Sequence, residues 1–451
     1  MTETIGMHWK APHYLQSLQQ LFGAVLYNDN EQGMVQKAAV RALGGLLSFW
    51  CDEPDEIEIL APLLPQLLQV ASRYNNNNNI DQHDEDFCMV VLDVLYELSF
   101  STAPSLVPHT PLTIQFALSV LQNRNLELRV RDAAALVIAT CAESKPKTLG
   151  QTEGLLPSVL DTLFQLMQDS PDSAAGALFE TNPTWRKDLE NNDNDNDDDD
   201  DGSLDPDSPS ETSMAQGTLD AISCEVPKKF IWPLASQRCI ERMQSPDPNA
   251  RKAGVAGLGV IAEGCAEPLT ASLAQILPLV FNAAQDASPQ VRECACFCLG
   301  QISEHCQPDI LNYAAQILPI VFMLLDDQAV TVQATSCYVL EMFCERLEPQ
   351  AVRPLLDQLV RKLAAMLEAT NKRSVQEMTV AALAATAVAA EEEFAPYVPG
   401  VATLMQKLMA LHDEKLFSLR GRALECMGHM AIAVGRDTFR PYFAATMESA
   451  M

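Results

Sequence analysis

Histidine and cysteine are the side chains that most often ligate metals or attack substrates, and the chain holds 7 and 13 of them. Cys426 and His429 stand three apart, and Cys294 and Cys298 four apart. On a helix each pair shares one face, which is the placement a metal ion or a Cys–His nucleophile needs. Neither pair has a third partner at a suitable spacing. No His stands in an HExxH context, no Ser in GxSxG and no Lys in a GxxxxGK[ST] loop that could cradle phosphates. No two cysteines form a CxxC pair. The expectation is therefore no enzyme, no cofactor and no metal, with reduced cysteines packed as small apolar side chains.

The carboxylates offer a different chemistry, the holding of cations. Sixty acidic residues against 30 basic ones give a formal net charge of −30. Such a field repels nucleic-acid phosphates and anionic lipid headgroups, and speeds the encounter with basic partners. Direct nucleic-acid binding and membrane insertion are thus disfavoured, and basic proteins are the favoured partners. Two groups of acids stand out. Between Asp188 and Glu211 lie twelve Asp or Glu residues, among them Asp197, Asp198, Asp199, Asp200 and Asp201, and no Lys or Arg. This stretch is expected to be disordered, extended by self-repulsion, and a lure for basic partners.

The second group is periodic. Leu258 and Glu263 return 41 residues later as Leu299 and Glu304, and again as Leu340 and Glu345. Glu143 holds the same place in an earlier unit. Each Glu is expected in the last turn of a helix, where the negative end of the dipole disfavours a carboxylate by about 0.3–1 kcal/mol. Stability alone would place Lys or Arg there. With Ala295 at the centre of the buried stripe, Glu304 lies about 180° away, at 100° per residue. Tyr338, Glu341 and Glu345 are expected on the matching face of the next unit. Stacked units would set the carboxylates about 10 Å apart, a rail suited to a segment rich in Lys and Arg. Glu143, Glu263, Glu304, Tyr338, Glu341 and Glu345 are the candidate binding residues, together with Asp197 to Asp201.

Positioning such a rail requires a repeat. Ala274-Gln275-Ile276-Leu277-Pro278 recurs as Ala315-Gln316-Ile317-Leu318-Pro319, again 41 residues on. Each unit reads as a helix A, a short polar turn and a helix B with apolar residues at the 3.6-residue period. A helix A over 272–285 precedes a helix B over 290–306. Later pairs fall at 351–368 with 375–390 and 397–411 with 417–434, and earlier units at 12–51, 57–102, 107–144, 151–225 and 230–265. Strand signals are weak throughout. The fold class is all-α, a HEAT-repeat solenoid of about eight helix pairs, because two helices in about 40 residues match HEAT or armadillo arrays. An acid in the turn recurs six residues before a base at the start of helix B, as in Asp286 with Arg292 and Glu414 with Arg420. Arg131 and Arg251 hold the basic position, and Gln333 and Gln376 replace it.

The domain reading is N-terminal repeats over 1–187, with a poly-Asn loop at 75–79 expected to be disordered. An acidic insertion follows over 188–211, then further repeats over 212–438. Residues 439–451 read as the start of an unfinished helix A, so a fragment of a longer chain is expected. Phe439, Tyr442 and Phe443 would pack on the absent helix B. The N-terminus has no apolar core of a signal peptide, and the run from Val380 to Ala390 is far below the roughly 20 residues of a membrane span. A soluble intracellular protein is expected.

Several segments resemble one family. After the acidic insertion come Leu219-Asp220-Ala221-Ile222-Ser223, Trp232-Pro233-Leu234, Ala250-Arg251-Lys252-Ala253-Gly254 and Ile261-Ala262-Glu263-Gly264-Cys265. Asp286, Val291-Arg292 and Leu299-Gly300-Gln301 follow. This order resembles the importin-β superfamily of nuclear transport receptors, and most of all the large importins that carry histones and ribosomal proteins. The resemblance covers most of the chain and is densest from about 150 to 435. It implies basic cargo on a concave face, Phe-Gly nucleoporins on the convex face, release of cargo by the Ran GTPase in its GTP form, and residence in cytoplasm, nucleus and nuclear pore. The alternative is another HEAT scaffold, such as a phosphatase regulatory subunit or a chromosome-organising subunit.

Overall fold

The computed structural model describes residues 12–27, 33–50, 53–75, 82–170, 210–411, 413 and 416–450. Among these there is no strand, and no helix is long and apolar enough to cross a membrane. The helices fall into nine pairs, against an expectation of about eight. Odd-numbered helices are the A members and even-numbered ones the B members. The first four pairs are α1 Pro12–Leu26 with α2 Gly33–Phe49, α3 Leu64–Asn75 with α4 Gln82–Phe100, α5 Thr110–Gln122 with α6 Leu128–Ser144, and α7 Leu155–Asp169 with α8 Glu211–Glu225. The fifth is α9 Lys228–Met243 with α10 Pro248–Val260. Then come α11 Leu273–Ala283 with α12 Pro289–His305, α13 Ala314–Leu324 with α14 Val330–Cys344, α15 Leu356–Ala369 with α16 Arg373–Ala390, and α17 Val398–Met409 with α18 Phe417–Ala450. Single-turn helices and 3-10 turns precede several A helices.

The described residues divide into two compact units, one formed by 12–170 and 210–235, the other by 236–450. Within each, successive B helices pack side by side, and each A helix other than α9 packs against its own B helix. The burial patterns follow from this. α11 buries Leu273, Ile276, Leu277, Val280 and Ala283, a single stripe at i, i+3, i+4 and i+7. α12 is buried almost all round, from Val291 through Ser303, because it is flanked by two neighbouring B helices as well as its A helix. The single stripe expected for it is thus too narrow. Its small residues, Cys294, Ala295, Cys296, Cys298 and Gly300, allow that crowding. A Cβ on Gly259 of α10 would stand 2.9 Å from the Cα of Cys298, so here the two backbones touch.

Among the described residues twelve cysteines are free, and all but the half-buried Cys224 are buried. Burial pushes the thiols of Cys337, Cys344 and Cys426 up to about 12, so these three stay protonated at neutral pH. Cys426 is fully buried while His429 of the same helix is partly exposed, so the pair does not converge on a ligand.

The turns hold the repeats together, by bonds that the sequence spacing paired differently. Arg251 Nε and Nη2 donate to the two carboxylate oxygens of Asp286 at 2.6 and 2.9 Å, across to the next repeat. Arg292 does the same to Asp327 at 2.6 and 2.8 Å. Within the turn, Arg292 Nη1 reaches only main-chain oxygens, those of Asp286 at 2.8 Å and Ala287 at 3.2 Å. Gln333 and Gln376 keep that inner bond, to the main-chain oxygens of Asp327 at 2.6 Å and Thr370 at 2.9 Å. They are too short to keep the outer one as well. Arg131, in the first unit, pairs instead with Glu211 at 2.6 Å. Glu414 lies outside the described residues.

Three sequence boundaries move. Asn75 is the last residue of α3 and is 1% exposed, bonded to Ser119 and Asn123, so the poly-Asn segment does not begin there. Residues 76–81 lie outside the described residues. Glu211 is not insertion but the first turn of α8, whose N-cap Ser210 closes a reciprocal capping box with Ser213. The rest of the acidic insertion, Asp197 to Asp201 included, lies outside the described residues. At the far end, Gly435 takes a φ of 75° and divides α18 into a B helix and a following helix. In that second helix Phe439 is buried and Phe443 exposed.

Candidate functional site

The B helices of the second unit present one ridge to solvent, and the periodic acids stand on it. Glu263, Glu304 and Glu345 are all exposed. Only Glu304 is inside the last turn of its helix. Glu345 caps α14, and Glu263 lies three residues past the end of α10. The carboxylate of Glu304 has His305 at 3.9 Å. Among the described residues, none of Glu263, Glu304, Glu341 and Glu345 pairs with a Lys or Arg. Acid–base pairing is concentrated at the opposite, N-terminal ends of these helices, in the Arg251–Asp286 and Arg292–Asp327 bonds. One end of the B layer is neutralised and the other carries uncompensated negative charge. Glu143 is exposed at the end of α6 in the first unit.

Tyr338 was expected on the open face and is not there; it is 8% exposed. Its ring lies over Gly300, where a Cβ would stand 2.2 Å from the ring. The absence of a side chain at Gly300 lets the larger ring fill the seam between α12 and α14. Only the hydroxyl reaches the ridge, accepting from Gln301 at 2.6 Å and donating to Glu304 at 3.4 Å. Tyr338 thus holds the Glu304 carboxylate in place. Replacing Gly300 by Ala tests this. In an ordinary helix interior that change stabilises by roughly 0.5–1 kcal/mol. Here the sign should reverse, to a loss of about 1–3 kcal/mol from overpacking. A melting temperature that rises in Gly300→Ala would refute the account.

Beside the ridge lies a groove of about 240 Å³. Its floor is Ala381, Ala384, Ala385 and Val388 of α16, one face at i, i+3, i+4 and i+7 with no long side chain. One wall is Glu341, Met342 and Glu345, and the other Arg422, Glu425 and His429 of α18. Arg422 donates to Glu425 at 3.3 Å, and His429 stands 3.9 Å from the same carboxyl. Glu341 is half-buried. Burial raises its pKa, Arg422 and His429 pull it down, Glu425 and Glu304 push it up, and the net effect is upward. Three carboxylates face one arginine and one histidine, so the rim is negative. An apolar floor with an acidic rim accepts a side chain with a hydrocarbon stem and a cationic end.

Of the sequence candidates, the structure brings Glu304, Tyr338, Glu341 and Glu345 together. Sequence reasoning missed Arg422, Glu425, His429 and the alanine floor. The signal is the run from Val380 to Ala390, whose small side chains leave room for a groove between the flanking helices.

Residues 248–302 match the family model described as HEAT-like repeat. The chain is 30% identical over 241 residues to the probable importin subunit beta-4 of Schizosaccharomyces pombe, covering 53% of this chain and 22% of that protein. It is 26% identical over 387 residues to importin subunit beta-3 of Saccharomyces cerevisiae, covering 85% of this chain and 33% of that protein. For importin-4 of Mus musculus the identity is 28%, over 52% of this chain and 20% of the other. The chain therefore spans about a fifth to a third of the length of these relatives. In fold it is similar to the karyopherin Kap121p in its crystal structure with Pho4p, with a TM-score of 0.78 and 23% identity over 97% of this chain and 40% of that one. The structure with Nup53p gives the same TM-score of 0.78. The fold is an all-α HEAT-repeat solenoid, and over the matched residues the chain is similar in sequence to importins.

Proposed function

We propose that this chain is part of a nuclear import receptor and holds basic segments of cargo proteins along the carboxylate ridge of its B helices. The observation that carries the reading is the set Glu263, Glu304, Glu341 and Glu345, none paired with a Lys or Arg among the described residues, with Glu341 and Glu345 lining an apolar groove, in a chain with a formal net charge of −30. Lysine stems would lie on the alanine floor and ammonium groups against the rim. The relatives support it, being importins by name. Kap121p has been crystallised with Pho4p, with Ste12p and with Nup53p. By the same likeness, histones and ribosomal proteins are the proposed cargo, with Phe-Gly nucleoporins and the Ran GTPase as further partners, and shuttling between cytoplasm and nucleus as the consequence. The acidic insertion with Asp197 to Asp201 serves in this reading as a lure that competes for the same cargo.

The test is titration of the 451-residue chain with a fluorescent lysine-rich histone-tail peptide. Binding should be strong at low salt and weaken steadily as the Debye length shrinks toward about 8 Å. A Glu-rich peptide of equal length should not bind. Capture of phosphatase catalytic subunits or SMC proteins from extract, with neither nucleoporins nor histones, would overturn the reading.

A further inference from the structure

The acidic stretch of the sequence enters the first unit at Ser210, the N-cap of α8. Ser210 is half-buried, on extended backbone with φ −88° and ψ 162°. Its Oγ accepts from the main-chain N–H of Ser213 at 3.1 Å, and its own N–H donates to Ser213 Oγ at 2.9 Å. A helix of 15 residues begins here, and its first N–H groups and its dipole favour an anion. One anion already stands close by. Glu211, the first residue of α8, lies 2.6 Å from Nη1 of Arg131 on α6.

The donors around that carboxylate are incompletely bonded. Arg131 is 7% exposed, yet its Nε and Nη1 make no hydrogen bond among the described residues. The contact with Glu211 is therefore an ion pair off the line of a good hydrogen bond. Thr212 is 1% exposed, and its hydroxyl also lacks a partner among the described residues. A buried donor without an acceptor is costly, and a charged one more so than a hydroxyl. The other charges nearby are engaged: Asp169, at the end of α7, which packs on α8, is held by Arg124 at 2.5 Å. A helix N-terminus, a buried guanidinium and a buried hydroxyl thus share one carboxylate. A phosphate ester supplies three strong acceptor oxygens and nearly two negative charges.

We propose that Ser210 is a phosphorylation site whose phosphate ester docks on the N-terminus of α8 against Arg131. In the reaction Ser210 Oγ attacks the γ-phosphorus of a nucleoside triphosphate bound to a protein kinase. The new O–P bond forms as the bond to the nucleoside diphosphate breaks, and the hydroxyl proton passes to the kinase's base. The flanking residues set the class of kinase. Asp205, Asp207 and Glu211 surround Ser210, and no Lys or Arg lies between 188 and 211, so the enzyme must favour acidic substrates. Helix ends fray, which frees the first turn of α8 for the kinase. Once formed, the ester oxygens accept from the first-turn N–H groups and from Arg131 Nε. Glu211, whose side chain is already 24% exposed, gives up the guanidinium and turns to water. The switch sits at the root of the acidic stretch and stands whether or not the chain carries cargo.

The experiment treats the full chain with ATP, magnesium and an acid-directed serine kinase, and maps the product by mass spectrometry. A phosphate should appear on Ser210 and be lost in Ser210→Ala. Phosphorylation should raise the melting temperature by about 2–4 °C. Phosphorus NMR gives a readout that folding alone does not move. A free phosphoserine loses its second proton near about pH 6. On this seat it should do so clearly lower, because the guanidinium and the helix N-terminus favour the dianion. Arg131→Gln should still be phosphorylated, with its titration back toward about pH 6 and no gain in melting temperature. Glu211→Gln is the second variant, in case Arg131→Gln does not fold. It removes the competing carboxylate and keeps the guanidinium, so phosphorylation should raise its melting temperature more than that of the wild type. Phosphate on Ser203, Ser208 or Ser213 with Ser210 unmodified would overturn the proposal. So would an ordinary titration in the wild type, or a melting temperature lowered by phosphorylation. An equal rise from inorganic phosphate in Ser210→Ala would also overturn it, by making this a seat for a free anion.

Discussion

Replacing Arg292 by Ala should cost about 3 kcal/mol and lower the melting temperature by about 6 °C or more. The side chain makes four bonds in two repeats, two to the Asp327 carboxylate and two to the main-chain oxygens of Asp286 and Ala287. Arg292 is 18% and Asp327 10% exposed, so water would recover little of the loss. Truncation leaves a carboxylate nearly buried without its cation, the costly way to break a pair. Arg292→Gln should cost less, since Gln333 and Gln376 show that glutamine keeps the inner bond. Acid should erase the difference. Burial alone would raise Asp286 and Asp327, but the arginine hydrogen bonds, the main-chain N–H groups and the arginine charges outweigh it, and both carboxyls sit below the usual range. A depressed folded pKa gives stability that is present above the unfolded value, about 3.9, and lost as pH falls through the folded one. The gap between wild type and Arg292→Ala should be full at pH 7 and close progressively below about pH 4. A gap independent of pH would mean that packing of the arginine stem, not the ion pair, does the stabilising.

The same arginine marks what a sequence can and cannot disclose. Spacing six residues from Asp286 to Arg292 was legible, and so was the 41-residue period, because both are one-dimensional. The partner of Arg292 was not, since the carboxylate it grips lies 35 residues ahead in the next repeat. The helices and their pairing were legible from periodicity and turn residues. Asn75 was read as loop by composition, yet its two hydrogen-bonding faces fit the buried end of α3 and bond Ser119 and Asn123. Tyr338 followed the helical phase onto the open face, but the missing side chain at Gly300 drew the ring inward. The alanine floor emerged only when three B helices were set side by side, because a groove is a relation between elements that no single helix encodes.

Changing Glu263, Glu304 and Glu345 together to Lys should weaken binding of a lysine-rich peptide roughly hundredfold at low salt. Changing them to Gln should give a smaller loss. The fold should be unharmed in both. All three side chains are exposed, and none has a Lys or Arg partner to orphan among the described residues. Glu304 and Glu345 stand at the negative ends of their helices, where a carboxylate is disfavoured and a lysine favoured, by about 0.3–1 kcal/mol each. The variants should therefore melt at the same temperature as the wild type or slightly higher. That opposition of signs is the argument for function: a position that weakens its own helix, repeated in two successive units, gains from something outside the chain. Raising the salt should shrink the difference between wild type and Lys variant, because exposed charges are screened over about 8 Å at physiological ionic strength. A lower melting temperature with unchanged peptide affinity would show instead that these carboxylates brace the repeats from within.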